Sequence, residues 1–435
     1  MSGQTLAVLG LSRSGMASVA ALVAAGARVY AHDDRNSPDL PQGVKRAAPA
    51  EWPWDELTAM VISPGIPHLH PAPHVAAAMA AEHHVPVISD IDLLMQAKPQ
   101  ARVIGITGTN GKSTVVTLIK HILDSQGMAT ALGGNIGTPV LALDDPGKDG
   151  VIILELSSYQ LETCPNLSLD AGAVINITPD HLDRHGGWDG YVAAKANLAR
   201  AVKPGGMLVL GDDPAASSLA KSSLAASSLA QAVIARHDNA LDRTDCPDLT
   251  GPHNAANTEI ATLIAGHFGI TREDVAHGLP RFKGLAHRME TIATSGAIRF
   301  VNDSKATNGD AAAEALKSFD AIYWIAGGTS KDGGLGPAIN QLDAVKCAYL
   351  IGDSAENFAT ELTGKCRHQL CGTLSQAAAA AYHDAQRTSP DGATILLSPA
   401  AASFDQFTSF EHRGDTFRAI VQDLLTPTSQ EARHV

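Results

Sequence analysis

Short apolar runs alternate with helical patterns along this chain, and glycine-rich turns separate many of them. Residues 5–35, TLAVLGLSRSGMASVAALVAAGARVYAHDDR, predict a strand, a glycine turn, a helix that stops at Gly26 and a second strand. The same order returns at 101–127, where an apolar run precedes a glycine-rich loop and apolar residues at helical spacing. Alternation of strand and helix is typical of parallel sheets covered by helices.

The repeated pattern indicates several domains. A chain of 435 residues has room for about three domains of ordinary size. We predict domains at residues 1–90, 91–282 and 283–435. The expected fold class is α/β: a Rossmann-like N-terminal domain, a central P-loop domain that binds a mononucleotide, and a Rossmann-like C-terminal domain. The Ala/Ser-rich stretch 215–232 is predicted to be an exposed helix or loop without an assigned function.

The acidic composition limits the kinds of partner. A net charge of −13 argues against nucleic acids and anionic membranes, because both attract basic surfaces. The five cysteines form no C-x-x-C pair, and the first residues carry no basic stretch of an export signal. We therefore expect a cytoplasmic protein with reduced thiols and small-molecule partners, bound neither to nucleic acid nor to a membrane. We also expect it to act as a monomer.

The run GITGTNGKST at 105–114 has the composition of a phosphate-binding loop. Small residues between a strand and a helix let backbone N–H groups converge on an anion. Lys112 would reach the outer phosphates, and the Ser113 hydroxyl would bind Mg²⁺. The strict pattern G-x-x-x-x-G-K-[ST] requires glycine where this chain has Ile106. Strand, loop, Lys-Ser-Thr and helix nevertheless coincide, which predicts a site for a nucleoside triphosphate.

The N-terminal turn departs from the dinucleotide pattern. It reads G-x-S-x-x-G, with Ser12 in place of the second glycine, which normally admits the pyrophosphate. The substitution argues against a dinucleotide and leaves open a nucleotide diphosphate held in another way.

Ionisable residues follow the predicted central strands. Glu155 ends an apolar strand, where a carboxylate could meet Mg²⁺ or serve only as a cap or surface acid. The next strand end carries Asp180, His181, Asp183 and His185. A histidine there is either structural or a second metal ligand. Lys195 lies on an alanine-rich helix, where a solvated lysine is the ordinary interpretation.

Three polar loops follow strands of the predicted C-terminal domain: NDSKATN (302–308), GGTSKDGG (327–334) and SPAAASFDQFTSFEHRG (398–414). Ligands of open α/β sheets gather beyond the carboxyl ends of strands. These loops are therefore candidates for a second substrate site, although polar loops and helix caps explain part of their composition.

Taken together, the motifs resemble the Mur ligases of peptidoglycan synthesis over nearly the whole chain. They are TGTNGKST, ELSSYQLE, NITPDHLDRH, YVAAK, HNAAN, HRME, NDSKATN and LLSPAAASFDQF. Single motifs are shared with sibling ligases and folylpolyglutamate synthetase, whereas GLSRSG together with SPAAASFDQF resembles the members that add D-glutamate. The chain departs from the usual motifs at Ala401 and Met289, where members commonly have Cys and Phe.

The resemblance implies an ATP-dependent ligase that joins D-glutamate to UDP-N-acetylmuramoyl-L-alanine through an acyl phosphate, releasing ADP and phosphate. It implies two Mg²⁺ ions, with ligands Ser113, Glu155, His181 and a carbamylated Lys195. It assigns catalysis to Lys112, Lys195, His181 and Lys305. It assigns ATP binding to Gly108, Thr109, Asn110, Gly111, Lys112, Ser113, Thr114, Asn254, Asn257, Arg288 and Asp303.

The resemblance also implies substrate contacts. The UDP site is assigned to Ser12, Arg13, Asp34, Arg35, Ser63, Pro64 and Gly65, and the muramoyl contact to Asn135. The D-glutamate pocket is assigned to Thr307, Lys331, Ser403, Phe404 and Phe410. Two alternatives stay open: a sibling or folylpolyglutamate synthetase-like amide ligase, and a non-catalytic nucleotide-binding regulator.

Overall fold

A computed structural model describes residues 1–219, 231–246, 249, 251–330, 334–389 and 391–426. The chain divides into two compact units, Met1–Asp242 with Ala256–Leu279, and Arg243–Ala255 with Pro280–Val435. The first unit holds two sheets and the second holds one. The predicted α/β class with three successive sheets is confirmed, whereas the boundaries near residues 90 and 282 stay predictions.

The N-terminal sheet has five parallel strands in the order β3-β2-β1-β4-β5. Its strands are β1 (Thr5–Leu9), β2 (Arg28–His32), β3 (Lys45–Arg46), β4 (Leu57–Ile62) and β5 (Val87–Ile88). Helices α1 (Arg13–Ala24), α2 (Val75–Glu82) and α3 (Asp90–Gln96) follow β1, β4 and β5. Every residue of β1 is buried, as expected of a central strand covered on both faces.

The central sheet is also parallel, in the order β11-β10-β9-β6-β8-β7. Its strands are β6 (Arg102–Thr107), β7 (Thr130–Gly134), β8 (Val151–Glu155), β9 (Leu169–Val174), β10 (Val202–Leu210) and β11 (Gln231–Ile234). Its helices include α4 (Lys112–Ser125), α5 (Ser158–Glu162) and α6 (Trp188–Arg200). Because β6 lies between β8 and β9, the loop after β6 meets the ends of both neighbours.

Two further helices, α7 (Pro252–His267) and α8 (Arg272–Gly278), precede the C-terminal sheet. The strands of that sheet, in the order β12-β13-β17-β14-β15-β16, are β12 (Glu290–Ser295), β13 (Ile298–Asn302), β14 (Ile322–Gly327), β15 (Val345–Ile351), β16 (His368–Gly372) and β17 (Ala393–Leu397). Helices α9 (Gly309–Leu316), α10 (Ala355–Leu362), α11 (Leu374–Thr388) and α12 (Phe410–Leu425) complete it. The predicted mostly parallel arrangement is confirmed, and only β12 runs antiparallel, as a hairpin with β13.

The described part of the chain contains free thiols at all five cysteines. Among the helices that the structure describes, none is both long and apolar enough to cross a bilayer. Part of the Ala/Ser-rich stretch, residues 220–230, lies outside the described residues.

Candidate active site

The loop between β6 and α4 leads through a glycine directly into the first turn of a helix. Gly111 caps α4 in the left-handed region, with φ of 86°, and a Cβ there would lie 2.6 Å from Oδ1 of Asn257. Glycine is therefore required both by the backbone conformation and by the close approach of that side chain. The N–H groups of Thr109 and Asn110 donate to Oδ1 of Asn176, at 3.0 and 2.9 Å, which fixes the loop.

Two lysines converge on one carbonyl of this loop. Lys112 Nζ donates to the carbonyl oxygens of Gly108 and Thr109, at 2.9 and 2.8 Å. Lys195 Nζ donates to the same Gly108 oxygen at 2.8 Å, so Lys195 is not the solvated helix lysine that was the ordinary interpretation. It is 2% exposed and lies over the ring of Tyr191. Burial lowers the pKa of Lys195 well below its ordinary range, and the Lys112 cation lowers it further.

Oxygen donors gather next to the lysines. Glu155, the last residue of β8, is buried, and the Ser113 hydroxyl donates to its Oε2. The Asn135 side-chain amide donates to Oε1 at 2.8 Å. Glu155 is therefore neither a helix cap nor a surface acid.

These residues fit Mg²⁺. Hydroxyl and carboxylate oxygens are the ligands that Mg²⁺ prefers, and the ion usually takes few ligands from protein and the rest from water and phosphate. Within the described ranges no group of three or more His, Cys, Asp or Glu side chains could hold a metal ion.

The loop after β9 separates the roles of its two histidines. His181 has a left-handed backbone, with φ of 52°, and its side chain is 39% exposed. His185 is buried, and its two ring nitrogens contact Glu162 and Ser158 at 2.6 and 2.9 Å. His185 is therefore the structural histidine of this loop, whereas His181 is partly exposed. Its neighbour Asp180 lies 3.4 Å from His181 Nε2.

The carboxyl edge of the N-terminal sheet carries a second glycine turn. A Cβ at Gly15 would lie 1.8 Å from the carbonyl oxygen of Gly10, so glycine is needed for the helix to start this close to the strand. Ser63 donates to the same oxygen at 3.2 Å. The N–H of Leu11 donates to Asp33 Oδ2 at 2.6 Å. The sequence hypothesis named Asp34 and Arg35 and missed Asp33, although it is the first acid after β2.

Asp33 and Asp34 differ in their surroundings. Burial alone would raise the pKa of Asp33, but backbone N–H groups donated by Leu11, Arg35 and Asn36 outweigh it and hold the pKa at about 2. Asp34 instead lies between two imidazoles, with His32 at 3.0 Å and His74 at 2.9 Å. The predicted UDP residues Ser12 and Arg13 begin α1, and Ser63, Pro64 and Gly65 follow β4.

In the second unit, Asp303 follows β13 and is buried. It accepts from the Ser398 hydroxyl at 2.8 Å and from the Met289 N–H at 3.2 Å. Burial raises the pKa of Asp303 to about 7. Lys305 Nζ lies 4.1 Å from the ring centre of Phe410.

A residue missed by the sequence hypothesis, Arg413, ties the three polar loops together. Its guanidinium donates to the hydroxyl and carbonyl oxygens of Ser304, both at 2.9 Å, and to the carbonyls of Gly327, Ala401 and Ala402. Its buried position between three strand ends has no sequence signal beyond its place in a polar loop.

The other predicted residues of the second unit are less clustered. Ser403 is buried after β17, whereas Phe404 is 74% exposed. Thr307 lies in the loop before α9, Arg288 precedes β12, and Asn254 is buried near the start of α7. Lys331 lies outside the described residues.

Known proteins match this chain along most of its length. A family model of the Mur ligase middle domain matches residues 106–268, and one of the Mur ligase glutamate ligase domain matches residues 287–401. The chain is 43% identical to a UDP-N-acetylmuramoylalanine--D-glutamate ligase of Paramagnetospirillum magneticum, which covers 97% of both chains. A protein of the same name from Rhodospirillum rubrum is 42% identical over 97% of this chain and 95% of its own.

Solved structures agree on the fold. The chain is similar to UDP-N-acetylmuramate-alanine ligase MurC of Thermotoga maritima, with a TM-score of 0.58, 13% identity and coverage of 97% of this chain and 99% of that one. MurF of Acinetobacter baumannii gives a TM-score of 0.57 at 18% identity, covering 97% of this chain and 90% of its own. The resemblance drawn from the motifs is confirmed: the chain belongs to the Mur ligase family.

Proposed function

We propose that this chain is an ATP-dependent ligase that adds D-glutamate to UDP-N-acetylmuramoyl-L-alanine and releases ADP and phosphate, in peptidoglycan precursor synthesis. The observation that carries the proposal is the convergence of Lys112 and Lys195 on the Gly108 carbonyl, beside the Ser113 hydroxyl and Glu155. Relatives that share 40–43% identity over nearly the whole chain are named as D-glutamate ligases, which supports the choice of amino acid.

The proposed reaction has two chemical steps. A carboxylate oxygen of the muramoyl-alanine substrate attacks the γ-phosphorus of ATP, the bond to ADP breaks, and an acyl phosphate forms. The amine of D-glutamate then attacks the acyl carbon, the carbon–oxygen bond to phosphate breaks, and the amine loses a proton. Lys112 and the loop N–H groups would hold the charge of the transferred phosphoryl group in place.

Two Mg²⁺ ions are part of the proposal. Ser113 and Glu155 would hold one, and His181 with carbamylated Lys195 the other; bound Mg²⁺ neutralises phosphoryl charge. Glu155 is positioned for this by Asn135, which holds one carboxylate oxygen and which we propose also contacts the muramoyl substrate.

The surroundings of Lys195 support the proposed carbamylation. A neutral amine can attack carbon dioxide, forming an N–C bond and losing a proton, and burial favours the neutral amine. In the described part of the chain no carboxylate forms an ion pair with Lys195, whereas the cation of Lys112 shares its carbonyl partner and would attract the carbamate anion.

We test carbamylation with ¹³C-bicarbonate. A carbamate carbon resonance is expected in the wild type and not in Lys195→Ala, and the variant should lose turnover. A Lys195→Ala enzyme with unchanged activity would contradict this part of the proposal. Lys120→Ala, a change at an exposed lysine of α4, is the control and should keep both signals.

Substrates are assigned to the carboxyl edges of two other sheets. For UDP we propose Ser12, Arg13, Asp34, Arg35 and residues 63–65, supported by their position around the N-terminal glycine turn. For D-glutamate we propose Thr307, Lys331, Ser403, Phe404 and Phe410, and for nucleotide contacts Asn254, Asn257, Arg288, Asp303 and Lys305. We also propose that the enzyme acts as a cytoplasmic monomer, and its free thiols support a reducing compartment.

One assay tests the reaction. Purified enzyme receives ATP, Mg²⁺ and UDP-N-acetylmuramoyl-L-alanine with either D- or L-glutamate, and ADP release is followed. We expect release with D-glutamate only. Turnover with another amino acid, or with a folate substrate, would identify a sibling or folylpolyglutamate synthetase-like enzyme. ATP binding without turnover on any of these would favour the regulator.

A further inference from the structure

Glu162, His185 and Ser158 form a series of hydrogen bonds beside the loop that carries His181, and His185 and Ser158 are buried. The Nδ1–H of His185 donates to Glu162 Oε1 at 2.6 Å, and the Ser158 hydroxyl lies 2.9 Å from Nε2. Glu162 also lies 3.8 Å from His68 of the N-terminal domain. The mechanism proposed above uses none of these three side chains.

The order acid, imidazole and hydroxyl also occurs where serine acts as a nucleophile. That function does not fit here, because Ser158 is buried at the first position of α5 and the His185 side chain has no exposed surface. Instead, the hydrogen bonds with Glu162 and Ser158 hold the His185 ring at both of its nitrogens and so fix the plane of the ring.

The fixed ring supports Tyr159. The two rings are stacked, with centroids 5.3 Å apart and planes inclined by 10°. On Tyr159 also lie the guanidinium of Arg184, 4.6 Å from the ring centre, and the ring of His181, with a centroid distance of 5.4 Å. Burial raises the pKa of Tyr159 to about 12, so its phenol stays neutral at physiological pH.

The backbone around His181 makes such support necessary. His181 has a left-handed backbone, which is unfavourable for a residue with a side chain, so the surrounding structure must hold it. The segment is fixed further along by Arg184, which donates to the Gly65 carbonyl at 3.1 Å, and by Gly186, where a Cβ would lie 2.8 Å from His70.

We infer that Tyr159 is a positioning residue that sets the orientation of the His181 ring, and that His185 locks Tyr159 for this purpose. The inference rests on the proposed function, in which His181 is a metal ligand. Residues that orient metal ligands typically change metal affinity or activity by 10- to 100-fold when they are replaced.

The test observes His181 directly, in enzyme without metal. Histidines are labelled with ¹³C at Cε1, and the His181 resonance is identified by its loss in His181→Gln. At about pH 8.5, well above the ordinary histidine pKa, Tyr159→Leu should broaden that resonance, because the His181 ring then adopts several orientations; loss of the Tyr159 ring current shifts it in any case. Tyr159→Phe, which keeps the ring, should leave it in place.

Turnover provides the second readout. Tyr159→Leu should raise the Mg²⁺ concentration for half-maximal rate by about tenfold, without raising KM for D-glutamate. Tyr382→Leu is the matched control, because Tyr382 also packs on an aromatic ring, Phe300, with centroids 5.3 Å apart. It should lower the melting temperature and change neither His181 nor the Mg²⁺ requirement.

A Tyr159→Leu enzyme with the wild-type His181 line width and Mg²⁺ requirement would overturn the inference, even if its stability fell as in the control. If that variant does not fold, Glu162→Gln replaces it, because it keeps the side-chain volume and weakens the hydrogen bond to His185. This variant should shift the His181 resonance. An unchanged His181 resonance would overturn the role of His185. The NMR measurement needs no turnover. A broadened resonance in an enzyme inactive with D-glutamate would therefore contradict the proposed function and not this inference.

Discussion

Two glycine turns of the first unit share a framework and differ in charge. In each, a buried parallel strand ends, a glycine turn follows, and a helix begins with a cation, Arg13 in α1 and Lys112 in α4. Around the central turn the Lys112 cation donates to the carbonyl oxygens of Gly108 and Thr109. Around the N-terminal turn the charged group that contacts the backbone is an acid, Asp33.

The glycine turn alone therefore does not determine which ligand group binds there. Both turns can present backbone N–H groups to a ligand, but in the N-terminal turn the N–H of Leu11 already donates to Asp33. A carboxylate there repels phosphate and attracts a donor such as a hydroxyl or an N–H of a nucleoside. The Lys112 cation of the central turn attracts a polyphosphate instead. In the sites proposed above, the residues at neighbouring strand ends therefore decide which part of a nucleotide each turn would bind.

The largest effect is expected for substitution of the cations that begin the two helices, Lys112 and Arg13. Lys112→Ala should lower kcat by about 10³-fold, because a charge that stabilises the transferred phosphoryl group is lost. Arg13→Ala, the same change at the equivalent helix position, should raise KM for the UDP substrate by about tenfold and leave kcat nearly unchanged. Steady-state kinetics with each substrate varied separately check both. Equal losses of kcat would contradict the distinction between the turns.

The third sheet also has an acid at the end of a strand, Asp303, and this acid is buried. The pKa of Asp303 is raised from 3.8 to about 7, so the folded state holds a proton that the unfolded state releases. Its contribution to stability is therefore complete below about pH 4 and is lost as the pH rises to about 7. Asp303→Asn should raise the free energy of unfolding at pH 8 by about 2 kcal/mol relative to wild type, and the gain should vanish near pH 4.

Hydrogen exchange of the β13 and β14 amides measures this change within the third sheet. Asp384→Asn is the control of opposite sign. Burial would raise the pKa of Asp384, but hydrogen bonds from Tyr349 and Arg387 outweigh it and lower the pKa, so removal of this charge should destabilise the sheet at pH 8. An Asp303→Asn protein no more protected than wild type at pH 8 would count against the buried charge.

The smallest effect is expected for substitution of the two adjacent acids of the N-terminal turn, Asp33 and Asp34. Asp33→Asn should raise KM for the UDP substrate by about tenfold without changing kcat, since an amide holds the Leu11 N–H less strongly than a carboxylate does. Asp34→Asn is the matched change one residue further on and should have the smaller effect, because Asp34 contacts His32 and His74 and not the turn. The reverse order would identify Asp34 as the acid that faces the substrate.

The parts of the fold that could be predicted depend on local patterns. Apolar periodicity, together with glycine and the polar residues that follow, predicts helix α4 and strands β6, β8 and β17. The antiparallel β12 could not be predicted, because its pairing with β13 depends on the hairpin and not on a distinctive pattern in its own sequence.

The site follows the same division. Lys112, Ser113 and Glu155 follow from strand-loop-helix spacing. Tyr191, whose hydroxyl bonds that of Thr109 at 3.0 Å, could not be predicted from the residues alone, because 82 positions separate the two. The choice between Asp33 and Asp34 depends on which of two neighbouring side chains turns toward Leu11, and only the folded sheet decides this.

Arg413 has a consequence for attempts to change the D-glutamate pocket proposed for the second unit. Because one guanidinium bonds Ser304, Gly327 and Ala401, it joins the described parts of the three loops. A graft of one loop from a sibling enzyme would strain the other two through this shared anchor. Exchange of selectivity should require transplanting all three loops as one cassette, with the arginine included.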